Sequence, residues 1–157
     1  MNELMLFNDD EFGKIRGKLL DELCWFVGRD VVRDLGYDLS THSYTEYVKK
    51  YCNKEDIKKL NNRDAGLFGI EDAGRKGELL INEYALYDLT FESPLPSAKE
   101  FKYWVTHEVL PSIRKHGAYM TDNILEQAIS NPDFMIGLLQ NLKEEKENLV
   151  DNDNKNN

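Results

Sequence analysis

Cysteine is nearly absent. Cys24 and Cys52 are the two in 157 residues, and they stand far apart with no metal-ligand spacing. A disulfide scaffold is therefore not expected, and both thiols should be reduced, as in a cytosol. Histidine is just as scarce, with 3 residues, His42, His107 and His116. Long apolar runs are missing as well. No stretch approaches the roughly 18 apolar residues that a membrane-spanning helix needs. The opening MNELMLFNDDEFGK has no basic start and no long apolar run, so it is not expected to be a signal peptide. There is no Walker loop and no Gly-x-Ser-x-Gly, and the glycines of "GLFGIEDAG" are wrongly spaced for a dinucleotide fingerprint. Positive charge is also short, with 20 Lys+Arg against 29 Asp+Glu, a net −9. Proteins that live by neutralising phosphates are usually basic, so this balance disfavours strong non-specific DNA binding.

What is present is enough for a folded domain. The chain is 41% hydrophobic and 11% aromatic, and its length allows one domain with a small appendage. The charge is uneven. Residues 1–118 hold 17 basic and 21 acidic side chains, whereas residues 119–157 hold 3 and 8. The last quarter thus carries over half of the acidic excess, and the first part has room for a basic patch.

Leu4 to Phe7 and Leu23 to Val27 read as short strands. Gly13, Gly17 and "NDD" lie between them as turn signals, which predicts a hairpin or meander. In "VGRDVVRDLGY", Val27, Val31, Val32 and Leu35 share a helical face, and Gly36 stands where a left-handed stop is wanted. Ser43-x-x-Glu46 is a capping box ahead of Tyr44, Tyr47, Val48 and Tyr51. Residues 61–78, with four glycines, read as a loop or mobile hairpin. Leu79 to Ile81 form a short strand, Asn82 caps the next helix, and Ser93-Pro94 ends it. Ser97-x-x-Glu100 reads as a second capping box. Pro111 should kink or restart the helix that this box opens, and Gly117 should end it. The core is expected to hold Trp25, Phe26, Val31, Leu35, Leu86, Leu89, Phe101, Trp104, Val105 and Ile113. The pattern predicts an α+β fold, a small antiparallel β-sheet packed with several helices, followed by a C-terminal helical arm. Residues 1–119 form the domain, 120–150 the arm and 151–157 a disordered tail.

No enzyme activity is expected from these motifs. His107-Glu108 begins a zinc-protease signature, but Pro111 occupies the position of the second histidine. No catalytic residue, metal ligand or cofactor-binding residue is assigned, and no cofactor is expected. Two basic groups are candidate partner or DNA contacts. One is Lys49, Lys50, Lys54, Lys58, Lys59 and Arg63, interleaved with Tyr47 and Tyr51, or else the solvated face of a helix. The other is Arg75-Lys76 at a glycine-rich loop tip. In the arm, Met135, Leu138, Leu139, Leu142 and Leu149 make a narrow stripe suited to oligomerisation, as a homodimer or higher homo-oligomer.

Three segments carry a resemblance: "ELCWFVGRDVVRDLGY", "LLINEYALYDLTFES" and "PSAKEFKYWVTHEVLPSIRKHGAY". Together they resemble the Bro-N domain of phage and prophage antirepressors and of baculovirus BRO proteins, in order across roughly residues 4–119. The resemblance implies a compact α+β domain that binds protein or DNA and catalyses nothing. It also implies that His107-Glu108 lies in a structural helix. The expected function is that of a phage-type antirepressor in the bacterial cytoplasm, binding a repressor protein to relieve the repression that controls lysogeny. The alternative is a sequence-specific DNA-binding regulator. No membrane partner is expected. Many phage members continue into a second, C-terminal domain.

Overall fold

The computed structural model describes residues 15–155. The strand expected at Leu4 to Phe7 lies outside the described residues. The described chain divides into two compact units between His107 and Glu108, so the boundary expected at residue 119 falls inside the second.

The first unit is built on a four-stranded antiparallel sheet in the order β1-β2-β4-β3: β1 Gly17–Leu20, β2 Leu23–Val27, β3 Ile57–Leu60 and β4 Glu78–Asn82. β1 and β2 form a hairpin whose turn residues, Asp21 and Glu22, both take positive φ. β4 is central and buried along its whole length. Its centre, Leu79-Leu80-Ile81, is apolar because both faces are covered, and Glu78 and Asn82 at its ends are buried with polar partners.

Alternation along the strands sends side chains to two layers. On one face, Phe26, Leu79 and Ile81 meet three helices: α1 Gly28–Asp34, α2 Tyr44–Tyr51 and α4 Glu83–Glu92. Val31, Val32, Leu35, Val48, Leu86 and Leu89 fill that layer. The Tyr37 hydroxyl donates to the Leu89 carbonyl at 2.6 Å, and the Ser93 hydroxyl donates to the Leu35 carbonyl at 2.6 Å, tying the end of α1 to α4. On the other face, Trp25, Val27 and Leu80 are covered by α3 Asn62–Phe68 and by Ile70.

The local signals mostly act as expected. Gly36 is left-handed, and the Ser43 side chain accepts from the Glu46 N–H. The Asn82 side chain accepts from the Ala85 N–H while its amide donates to Asp56 at 2.8 Å. Two expectations are corrected. Residues 61–78 are not one loop: Asn61 caps α3 through the Asp64 N–H, and left-handed Gly69 ends it. Ser97 is not a helix cap. Helix α5, Pro96–Trp104, begins two residues earlier than that cap implies, with Leu95 as N-cap, because Pro96 has its φ already set for a first helical position.

α5 packs on the outside of α4 through Phe101, whose ring stacks on Phe91 at 6.2 Å. Its far side faces solvent, so Phe101, Trp104 and Val105 are half-buried rather than buried. Val105–Val109 wind as one turn of π-helix. Pro111 lacks the N–H that would continue the α-helical ladder, and α6, Leu110–His116, restarts there with Pro111 in its first turn.

The second unit holds α6, α7 Asp122–Ser130 and α8 Pro132–Lys155, with α7 packed on α8. Gly117 ends α6 in the left-handed region. Ile113, expected in the core, is 45% exposed, because this small unit has little to bury it against. α8 is helical to Lys155, beyond the limit of 150 expected for the arm, so residues 151–155 are helix rather than disordered tail. No helix among the described residues is long and apolar enough to cross a membrane.

Candidate binding cleft

Strand β2 runs into α1 without a loop, and this junction positions the first charged residues. Gly28 is buried at the step, where an added Cβ would sit 3.0 Å from the Leu79 carbonyl oxygen. Arg29 and Asp30 come next, on the first turn of α1, and anchor a polar network that sequence reasoning missed. Asp30 is 1% exposed. The Arg16 guanidinium grips it with two donors, at 2.8 and 3.0 Å, and the Arg16 backbone N–H adds a third at 3.1 Å. Burial pushes the Asp30 carboxyl upward, but the Arg16 bonds and the nearby Arg33 outweigh it and hold the group below its ordinary range.

Arg16 also reaches Asp72 at 2.7 Å. Arg29 bridges Asp72 at 3.1 Å and buried Glu78 at 2.8 Å. Tyr44 completes the chain, donating to Glu78 at 3.0 Å and accepting from the Leu79 N–H at 3.2 Å. Burial is the main reason that the Tyr44 hydroxyl is pushed up to about 12. These residues fix α1, α2, β4 and the 69–73 segment against one another. Their sequence separations of 14 to 56 residues left no local signal.

Beside this network opens a cleft of about 580 Å³. Five cations line it: Arg29 from α1, Lys49 from α2, Lys59 from β3, and Arg75 and Lys76 from a tight turn. In that turn the Gly77 N–H donates to the Gly74 carbonyl at 2.9 Å. Gly77 has φ +83°, and a Cβ there would overlap the Leu60 carbonyl oxygen, so glycine is required where the turn crosses the end of β3. Of the two carboxylates in the wall, Asp72 and Glu78, each is held by an arginine. Lys49, Lys59, Arg75 and Lys76 have no ion-pair partner among the described residues, so the cleft presents uncompensated positive charge.

The structure therefore divides the basic residues picked out in the sequence. Lys54 lies in a short 3₁₀ turn and lines a smaller hollow next to the cleft. Lys58 points the other way. It neighbours Lys59 on β3, so the two alternate across the sheet, and its ammonium lies 4.7 Å from the centre of the Trp25 ring on the opposite face. Lys50 sits 5.2 Å from the Tyr51 ring centre, and Arg63 is exposed on α3. The alternative reading of these lysines as one solvated helix face does not hold either, since α2 ends at Tyr51 and Lys58 and Lys59 stand on β3.

His107 is exposed in the π-turn. Its ring stacks on Tyr103 with centroids 3.8 Å apart, and its Nδ1 lies 2.9 Å from the Thr106 hydroxyl. In the arm, Met135 and Leu138 are half-buried, while Leu139, Leu142 and Leu149 are exposed on α8.

The family described as "BRO family, N-terminal domain" matches residues 14–111. A Bro-N domain-containing protein of Invertebrate iridescent virus 6, 289L, is 32% identical over 145 residues, covering 79% of this chain and 33% of its own length. One of Invertebrate iridescent virus 3, 019R, is 32% identical over 128 residues, covering 74% of this chain and 31% of its own. A protein of Haemophilus influenzae is 34% identical over 95 residues, covering 60% of this chain and 42% of its own. The chain thus spans about a third of the length of the viral relatives it matches. No solved structure matches.

Proposed function

This chain belongs to the BRO family, carrying its N-terminal domain, and from that premise we propose that it is a non-enzymatic transcription regulator of the antirepressor kind, which binds a repressor protein and releases it from its operator. The observation that carries this reading is the layout of the basic residues. DNA binding through the backbone calls for cations spread along a surface that tracks successive phosphates. Here Lys58 and Lys59 face opposite sides of the sheet, and the cations of the cleft converge in a concave space of about 580 Å³. A net charge of −9 adds a general repulsion from nucleic acid. A cleft of this kind suits part of a protein partner. In the same reading, Leu139, Leu142 and Leu149 of α8 pair with a second copy, which matches the twofold symmetry usual for repressors and their operators.

The test uses a fluorescently labelled operator bound by a purified candidate phage repressor. Adding the purified full chain is expected to lower the operator's anisotropy to that of free DNA. The chain alone, at the same concentration, should leave the operator unbound. Operator binding by the chain without repressor, falling steeply with salt, would instead establish the DNA-binding alternative.

A further inference from the structure

The cationic cleft does not end at its charged wall. Beside it lies a second hollow of about 340 Å³, and the two share Lys49, Lys59 and Leu79. They form one continuous groove with two characters. At one end, Arg75 and Lys76 join Lys49 and Lys59. At the other end, Cys52, Ile57 and Leu79 supply an apolar floor, with Lys54 on the rim. Both volumes fall within the roughly 300–1,000 Å³ usual for ligand pockets.

We infer that this groove holds an extended protein segment in which an apolar side chain stands next to two or more carboxylates. The apolar end selects the first feature. Cys52 is buried and its S–H donates to the Ala85 carbonyl at 3.7 Å, so it offers no unsatisfied polar group and adds to the small apolar surface. Burial pushes its thiol up to about 12, so no thiolate forms there at neutral pH to repel an acidic ligand. The charged end selects the second feature. Four cations without ion-pair partners among the described residues surround it, and carboxylates would complete charge-assisted hydrogen bonds with them. The apolar floor decides between acidic ligands, since a nucleic-acid backbone brings no apolar group for Ile57 and Leu79.

This inference rests on the reading of the chain as a protein-binding regulator, and it gives the chemistry of the bound segment. Selection of a random dodecapeptide library on the full chain tests it, with counter-selection on a Lys49→Glu/Lys59→Glu protein whose circular dichroism matches the parent. Both lysines are exposed, so the fold should survive the change. Enriched peptides should place Leu, Ile, Val, Phe or Met beside two or more Asp or Glu. Their affinity should weaken at least tenfold in the double variant and in Arg75→Ala/Lys76→Ala. Replacing the peptide's apolar residue by Ser should weaken binding several-fold, and an equimolar 20-bp DNA duplex should not displace the peptide. Enrichment of no such pattern, affinity unchanged in both variants, or displacement by the duplex would overturn the inference. The outcome separates the two claims. Peptides that bind as described while the operator assay shows no release leave the groove in place and remove the antirepressor function. Operator release that survives both variants does the reverse.

Discussion

Arg16→Ala is expected to lower the stability of the first unit by about 2–3 kcal/mol at neutral pH. Removing one partner of a buried ion pair typically costs about 3–5 kcal/mol, because the other charge is left buried without compensation. Asp30 is the buried partner, with a side chain 2% exposed, while the Arg16 side chain is 39% exposed and Arg33 remains at 3.5 Å, which places the loss toward the low side. The pH dependence identifies the cause. In the native protein the Asp30 pKa is held below its unfolded value of about 3.9, so Asp30 contributes stability above that pH and loses it as the pH falls through the folded pKa. Without the Arg16 side chain, burial is opposed only by the residue-16 backbone N–H and Arg33, so the Asp30 pKa rises from its native value and the variant protonates Asp30 at a higher pH than the native protein does. Urea unfolding of the two proteins should show their largest difference near neutral pH and a shrinking difference below about pH 4. A difference that stays constant with pH would assign the loss to packing alone.

Leu89→Ala is expected to cost about 3–4 kcal/mol, within the roughly 2–5 kcal/mol range for truncating a buried leucine. Leu89 is fully buried where α4 meets the sheet, and its carbonyl accepts the buried Tyr37 hydroxyl. Trp104→Ala removes a larger side chain, yet it should cost less, because Trp104 is half-buried on the outer helix α5. Urea midpoints for the two variants provide the ranking, and a larger loss at Trp104 would mean that α5 belongs to the core after all.

The elements that were legible in the sequence are those specified by their own neighbours. Asn82 stands between an apolar strand and an amphipathic helix, and one side chain closes the first turn. Gly36 and Gly117 end helices because only the left-handed region fits there. Strand β3 was not legible, since Ile-Lys-Lys-Leu has no period-two alternation of apolar and polar residues, and its pairing is set by β4, well downstream in the chain. Helix α3 was hidden by the glycine count of residues 61–78, although Asn61 and Gly69 marked its ends. The cleft was half visible. Lys49, Lys59, Arg75 and Lys76 stood out as charge, but the sequence grouped Lys49 and Lys59 with Lys58 and Arg63, which the fold sends elsewhere, and left Arg75 and Lys76 as a separate loop tip. Arg29, Asp72 and Glu78 gave no signal, and Tyr44 read only as a helix residue, because each joins the network only through partners distant in the chain.

In the proposed function, cations act through the cleft and not through the total charge of the surface. Two double variants separate these directly. Lys49→Glu/Lys59→Glu and Lys50→Glu/Lys58→Glu make the same change in net charge from neighbouring positions on α2 and β3, but only the first pair lines the cleft. In the operator-release measurement, the first pair should abolish release and the second should leave it within a factor of about two. Equal loss in both would contradict the account and return the basic residues to the role of a diffuse, charge-driven surface.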